Sequence, residues 1–150
     1  MSDIVSKEQR SRNMSAIRSK DTKPELYIRK LLYADGYRYR KNDASVYGHP
    51  DMFLSKYNTA IFVHGCFWHR HMNCRFAYTP KTRIDFWSKK FQVNVERDLV
   101  VKEELNREHI RILVIWECTV KQMQKSEIKE EETLRQIVTF LTSDEQYREL

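Results

Sequence analysis

The segment "HPDMFLSKYNTAIFVHG", residues 49–65, contains two apolar runs separated by the polar stretch "KYN". Two short apolar runs with a turn between them predict an antiparallel hairpin. Asp51 opens the first run and His64 ends the second. Because antiparallel strands bring the start of one beside the end of the other, we expect the Asp51 carboxylate to lie next to the end of the second strand.

Upstream of the hairpin, residues 21–36 ("DTKPELYIRKLLYADG") carry the start and stop signals of a helix. Thr22 and Glu25 form a Thr-x-x-Glu capping box, Pro24 suits the first turn, and Gly36 ends the helix. The predicted apolar side consists of three leucines: Leu26, Leu31 and Leu32.

Downstream, the pattern predicts two more helices and a central strand. Residues 82–107 and 126–141 are amphipathic, the second helix starting at Ser126, and "IRILVIW" (110–116) is a strand buried on both faces. "YRYR" (37–40) alternates like a strand. The predicted helix at 82–107 is expected to bury the side that carries Ile84, Trp87, Phe91 and Val95. These elements predict an α/β fold, a single domain with a mixed central β-sheet flanked by helices.

The length and charge distribution indicate one domain with a basic arm. The chain has 150 residues and a net charge of +6, and residues 1–41 contain 11 Lys/Arg against 5 Asp/Glu. We divide it into an arm at 1–20 and a domain at 21–150. Such an arm is expected of a protein that binds a phosphate backbone, although a solvated tail has the same composition. The chain has no long apolar run and no signal segment, which indicates the cytoplasm rather than a membrane.

The three cysteines and one histidine form a candidate zinc set. Cys66, His71 and Cys74 have the spacing Cys-x4-His-x2-Cys, and Cys118 follows the predicted central strand. A closed Cys3His set suits structural tetrahedral zinc and leaves no open position for chemistry. The alternative is that these are reduced cytosolic thiols without a metal.

A second candidate site is built from oxygen ligands. Hydrolysis of a phosphodiester needs a hard cation and a group that activates or orients water. Asp51 beside "FVH" (62–64) resembles the arrangement in metal-dependent nucleases related to type II restriction enzymes. An Asp after Pro is also a common turn residue, so this signal is weak by itself.

Seven segments together resemble one family, the very short patch repair (Vsr) DNA mismatch endonucleases. They occur in the order "RSRNMSAI", "DTKPE", "GHPDMF", "FVHGCFWHRH", "TRIDFW", "NVERD" and "ILVIWEC". The resemblance implies a restriction-endonuclease-like fold with structural Zn2+. It also implies Mg2+-dependent nicking of one strand, 5′ to the thymine of a T:G mismatch that arises when 5-methylcytosine deaminates.

The resemblance also implies roles for particular residues. Asp51 would bind Mg2+ together with the backbone carbonyl of Val63, where the family pattern has Thr. The remaining catalytic residues would be His64, His69, Glu25 and Asp98. The zinc ligands would be Cys66, His71, Cys74 and Cys118, with one residue more than the family pattern before Cys74.

Each catalytic assignment has a structural alternative. Glu25 is explained by its capping box, and Asp98 by the solvated face of a helix. His64 and His69 could be outer partners of the zinc. We expect His69 to assist the attacking water and His64 to support the waters of the metal.

The resemblance assigns a third role to the aromatic pair Phe67 and Trp68. The free-energy cost of wedging a side chain between stacked bases is lower at a mismatch, where pairing is already poor. Met14 of the arm would join them, unless it is an ordinary surface methionine. Trp87 and Trp116 instead fit core positions of the predicted helix and strand.

Three functions therefore remain open from the sequence: a T:G mismatch nickase, a related nuclease that cuts unmismatched DNA, and a zinc-stabilised DNA-binding module. The first predicts duplex DNA as the partner, with mismatch-repair proteins and a repair DNA polymerase as candidates. We expect a monomer, because one mismatch has no two-fold symmetry, and we expect it to act at the bacterial nucleoid.

Overall fold

The computed structural model describes residues 21–150, which contain a five-stranded sheet in the order β1-β2-β3-β4-β5. The strands are β1 (Arg40–Lys41), β2 (Met52–Leu54), β3 (Thr59–His64), β4 (Arg111–Trp116) and β5 (Tyr147–Glu149). The pairs β1–β2 and β2–β3 are antiparallel, whereas the pairs β3–β4 and β4–β5 are parallel. The predicted mixed sheet is confirmed, and the proposed arm at 1–20 lies outside the described residues.

Four α-helices flank this sheet in the described part of the chain. They are α1 (Lys23–Ala34), α2 (Ile84–Arg107), α3 (Glu117–Lys125) and α4 (Glu127–Leu141). Three of them were predicted, whereas α3 and the short strand β5 were not. Within residues 21–150, no helix has the length and apolar character needed to cross a membrane.

The predicted hairpin is confirmed, and its turn is a 3-10 helix at Ser55–Tyr57. Met52 pairs with Ile61 and Leu54 with Thr59. Asn58 closes the turn with a φ of 50°, a left-handed conformation that asparagine tolerates better than most residues. This pairing leaves Asp51 opposite the carboxyl-terminal end of β3.

The alternating side chains of the strands build an apolar core on each face of the sheet. One face packs against α1, α3 and α4 through thirteen buried residues that include Ile61, Val63 and Ile115. The other face includes Phe62, Trp116 and, from α2, Leu105. All six residues of β4 are buried, which confirms the prediction of a central strand.

The amphipathic faces of α1 and α2 differ from their predictions. Leu26 is 43% exposed, and the buried face of α1 includes the charged residues Glu25 and Arg29. On α2, Phe91 is buried but Ile84 and Val95 are exposed. A helix of 24 residues that buries only Phe91 and Leu105 presents most of its surface to solvent or to a partner.

Candidate active site

Asp51 lies immediately before β2, and the hairpin holds its carboxylate against β3. Its Oδ2 atom accepts a hydrogen bond from the Val63 backbone N–H at 2.6 Å. Burial, followed by the nearby Glu25 carboxylate, raises the pKa of Asp51 from 3.8 to about 7. A carboxylate that is costly to ionise in the metal-free protein is what a site for a cation is expected to contain.

Glu25 reaches the same place from the first turn of α1. It is 3% exposed, and its Oε2 atom accepts a hydrogen bond from the Asp21 backbone N–H at 2.7 Å. The Thr22 hydroxyl oxygen caps the Glu25 N–H at 3.4 Å. The capping box is therefore only half of the predicted one, because the Glu25 carboxylate is bound to Asp21 rather than to Thr22.

Arg29, one helical turn after Glu25, is a site residue that the sequence reasoning missed. Its NH2 group is 3.3 Å from Glu25 Oε2 and donates to the Asp51 backbone carbonyl at 3.2 Å. The i, i+4 spacing of a Glu and an Arg is a recognised helical pair. That spacing could have indicated Arg29, had the helix been expected to bury its charged side.

His64, His69 and Asp98 form a second cluster beyond the end of β3. The two imidazole rings stack with centroids 3.8 Å apart and an angle of 4°. Asp98, from the middle of α2, places its Oδ2 atom 2.7 Å from His69 Nδ1. Asp98 is half-buried against a histidine, so it is not the freely solvated residue of the alternative interpretation.

Burial, with a smaller effect of His69, lowers the pKa of His64 to about 3. His64 is therefore neutral near pH 7 and can both donate and accept a hydrogen bond. The ligand atoms of His64, His69 and Asp98 lie within 4.8 Å of one another. Because parallel stacked rings direct their nitrogen lone pairs side by side rather than to one point, this cluster suits proton transfer better than metal binding.

Cys66, His71, Cys74 and Cys118 come together, with their ligand atoms within 4.8 Å of one another. His71 Nδ1 lies 3.6 Å from Cys66 Sγ and 3.4 Å from Cys118 Sγ. A tetrahedron with zinc–ligand bonds of roughly 2.1–2.3 Å has edges of about 3.6 Å. The donor types and distances therefore fit Zn2+, and the extra residue before Cys74 does not displace that cysteine from the cluster.

The protonation of these thiols depends on their burial. Burial raises the pKa of Cys66 to about 12, and it also raises the pKa of Cys118. A thiol of this kind ionises at neutral pH when a cation binds it, because metal binding displaces the proton. Cys118 joins α3 to the loop from Cys66 to Cys74, and its backbone N–H lies 3.4 Å from Cys66 Sγ.

Phe67 and Trp68 lie in an aromatic cluster at the start of α2. Phe67 makes edge contacts with Trp68, Trp87 and Phe91 at centroid distances of 5.1, 5.6 and 5.2 Å. Both members of the pair are half-buried. Trp87 was predicted to be a core residue, but it is half-buried in this cluster instead. Met14 lies outside the described residues.

Trp116 lies between the cluster of Cys66, His71, Cys74 and Cys118 (the cysteine cluster) and the stacked pair of His64 and His69 (the histidine pair). It is 8% exposed, as predicted for a core residue, and its ring stacks on His71 at 4.1 Å and 8°. Its edge meets His64 at 5.4 Å, and its Nε1 atom donates to Glu149 Oε1 at 2.7 Å. The sequence reasoning missed this link because Glu149 belongs to the unpredicted strand β5.

Comparisons with known proteins identify the family of this chain. A family model described as DNA mismatch endonuclease Vsr matches residues 2–75. The DNA mismatch endonuclease Vsr of Escherichia coli (strain K12) is 41% identical over 125 residues, which are 83% of this chain and 80% of that protein. This chain belongs to the Vsr family.

Two further relatives are nicking enzymes. The type II nicking enzyme V.NmeAIP of Neisseria meningitidis serogroup A is 46% identical over 121 residues, 81% of this chain and 86% of the relative. V.XorIIP of Xanthomonas oryzae pv. oryzae is 40% identical over 123 residues, 82% and 90% of the two chains. As a Vsr-type enzyme, the protein is an endonuclease that binds DNA and belongs to DNA repair.

The part matched by the Vsr family model contains most of the site. It includes Asp51, His64, His69 and the first three cysteine-cluster residues, but it ends before Asp98 and Cys118. These two residues join the site only because α2 and α3 pack against the loop that follows β3. The tertiary structure, and not the segment matched by the family model, places Asp98 and Cys118 beside the other candidate residues.

Proposed function

We propose that this Vsr-family enzyme nicks one DNA strand 5′ to the thymine of a T:G mismatch, in a reaction that depends on Mg2+. The observation that carries the proposal is the convergence of two acidic side chains and a His–Asp pair at one end of β3. Asp51 is held against Val63, and His64 is the next residue in the strand. A relative with a mismatch endonuclease name supports the choice of substrate.

The oxygen donors beside β3 fit Mg2+, which prefers carboxylate and carbonyl ligands. Asp51 and the Val63 carbonyl would hold the ion, with Glu25 nearby. The Val63 side chain is 8% exposed and packs in the core, so a backbone ligand at this position does not need a hydroxyl. When bound, Mg2+ would act as a Lewis acid for the phosphate that is cut.

His69 would take the proton of the attacking water. Its Nδ1 atom lies 2.7 Å from Asp98 Oδ2, which orients the ring, so Nε2 is the nitrogen available to water. Neutral His64, stacked on His69, would hold neighbouring waters by hydrogen bonds. The assignment follows the expected division of roles between the two histidines.

We further propose that the cysteine cluster binds structural Zn2+ and that the aromatic pair reads the mismatch. Zinc would fix the loop that carries His69, Phe67 and Trp68. The two aromatic rings, with Met14 from the arm, would wedge between bases, which costs less where pairing is poor. This mechanism would favour T:G over a matched pair.

The remaining parts of the proposal concern context. The mixed sheet with helices on both faces supports a restriction-endonuclease-like fold. We expect a monomer that acts at the bacterial nucleoid, with mismatch-repair proteins and a repair DNA polymerase as candidate partners. These expectations rest on the family and on the asymmetry of a single mismatch.

The test is a nicking assay with end-labelled duplexes that contain T:G or T:A at one position, in Mg2+ and in EDTA. We expect one nick 5′ to the mismatched thymine, only in Mg2+ and only in the T:G duplex. Several flanking sequences are compared, since the geometry of the site does not specify them.

Equal cutting of both duplexes would instead identify a nuclease without mismatch preference. Binding without cutting in every sequence context would identify a DNA-binding module. Asp51→Asn serves as the inactive control, because it retains the acceptor for the Val63 N–H while it removes the charge.

A further inference from the structure

Arg29 lies between the acidic side chains of the candidate magnesium site. Its side chain is 4% exposed, and its NH1 group is 2.6 Å from Asp21 Oδ1. The NH2 group is 3.3 Å from Glu25 Oε2 and donates to the Asp51 backbone carbonyl at 3.2 Å. A single guanidinium thus contacts Asp21, Glu25 and the backbone of Asp51.

The surroundings of Arg29 compensate its charge better than they satisfy its hydrogen bonds. Among the described residues, its Nε atom is buried without a hydrogen-bond partner. Such an atom is costly to bury, because it loses its hydrogen bond to water without a replacement. What the arginine contributes at this place is therefore mainly the positive charge that it brings to Glu25 and Asp51.

We propose that Arg29 is a positioning residue that acts as the resident counter-ion of the metal site. In the metal-free protein its positive charge compensates the Glu25 and Asp51 carboxylates. When Mg2+ binds, the ion takes over this compensation, and the charge of Arg29 then opposes the ion and weakens its binding. The inference rests on the proposed function, since it needs a divalent cation at Asp51.

A thermodynamic cycle gives the sign of the effect. Without metal, a neutral residue at position 29 leaves the buried Glu25 carboxylate and the half-buried Asp51 carboxylate without a positive partner, so the fold loses stability. When Mg2+ is bound to the variant, the ion compensates the two carboxylates, and no positive side chain at position 29 repels it. The loss of stability is then smaller, and linkage requires that the variant binds Mg2+ more tightly.

The experiment compares Arg29→Met with the wild-type protein at about pH 8.5, where carboxylates are ionised. Thermal unfolding is measured in EDTA and in saturating Mg2+, and Mg2+ binding is measured by calorimetric titration without DNA. We expect a large loss of Tm in EDTA that Mg2+ mostly restores. We expect the Kd for Mg2+ to fall by about fivefold or more, as a unit charge near the ion implies.

Two matched variants separate charge from packing. Arg29→Lys retains the charge, so its Kd for Mg2+ should stay within about twofold of the wild-type value. Arg111 is a second buried arginine, but it donates to backbone carbonyls and to the Thr59 hydroxyl. The decrease in Tm that Arg111→Met causes relative to wild type should therefore be the same in EDTA and in Mg2+.

Three kinds of result would contradict the inference, and they can be told apart. An equal loss of Tm for Arg29→Met with and without Mg2+, or weaker Mg2+ binding, would show that Arg29 only packs the site. If the wild-type protein neither binds Mg2+ nor needs it for nicking, the proposed magnesium site fails first. If Arg29→Met is unfolded in EDTA, recovery of its fold on addition of Mg2+ supports the inference, and failure to recover contradicts it.

Discussion

Asp51→Asn is expected to abolish nicking and yet to stabilise the metal-free protein above neutral pH. The amide oxygen can still accept the Val63 N–H, which lies 2.6 Å from Oδ2, so the hairpin contact is preserved. What the substitution removes is a negative charge that is partly buried beside Glu25. Function and stability therefore change in opposite directions at this position.

The magnitude follows from the pKa of Asp51, which burial and Glu25 raise from 3.8 to about 7. Each pH unit corresponds to about 1.4 kcal/mol, so ionisation costs the fold about 4 kcal/mol before screening. Because solvent reaches this half-buried carboxyl and screens its charge, the cost of ionising Asp51 in the native state is about 2 kcal/mol. For a chain of this size, that corresponds to about 6 °C in Tm.

Proton binding to Asp51 makes the stability of the wild-type protein depend on pH. The native state holds the Asp51 proton more tightly than the unfolded chain, so wild-type stability falls as pH rises from about 4 to about 7. Asparagine has no proton to lose there. The variant should thus be more stable than wild type by the full amount near pH 8, and the difference should shrink towards pH 4.

The assay is thermal unfolding in EDTA at a series of pH values, with a matched variant at another acid. Hydrogen bonds from Ser45 lower the pKa of Asp43, so Asp43→Asn should destabilise the protein as pH rises. A Tm difference for Asp51→Asn that is constant across pH would refute the reasoning. So would a wild-type protein more stable than the variant near pH 8 in EDTA.

Three other predictions test the remaining parts of the site. Cys118→Ser should lower the zinc content of the purified protein, measured by atomic emission, and decrease Tm, because the loop loses its only ligand from α3; unchanged zinc would exclude Cys118 as a ligand. Asp98→Asn should slow single-turnover nicking by about 100-fold with little change in DNA affinity, because His69 loses the carboxylate that orients its ring for proton transfer. An equal loss of affinity would indicate a structural role. Trp68→Ala should reduce the preference for T:G over T:A binding by about tenfold in competition titrations, since a stacked base is worth about 1–3 kcal/mol; an unchanged preference would argue against the wedge.

Local patterns in the sequence were sufficient for much of the architecture. The hairpin, the buried strand β4 and the Ser126-capped helix α4 each depend on neighbours within a few residues. The four residues of the candidate zinc set were grouped by their ligand types and spacing, and the structure brings their ligand atoms within 4.8 Å of one another. α3 was missed because Glu117–Lys125 follows β4 without a turn signal between them.

The face that a helix buries was harder to predict than the helix itself. The pattern of α1 favoured its leucines, but the fold turns Glu25 and Arg29 inwards, where they form an ion pair beside Asp51. On α2, the apolar spacing predicted a face of Ile84, Trp87, Phe91 and Val95, of which only Phe91 is buried. Contact with the loop after β3 instead turns Asp98 towards His69. Such choices depend on how an element is rotated against its neighbours, which periodicity alone does not determine.

The sequence by itself determined most of the elements, though not α3 or β5, together with the cysteine–histidine set, the carboxylate at the start of β2 and the resemblance to the Vsr family, because these signals are local. Only the tertiary structure brought Asp98 to His69 across 29 positions, inserted Arg29 between the acids, and linked Glu149 through Trp116 to His71. The physical reason is that charge compensation and proton transfer act over a few ångströms in space. Which distant residues meet at that range is decided by sheet register and helix packing.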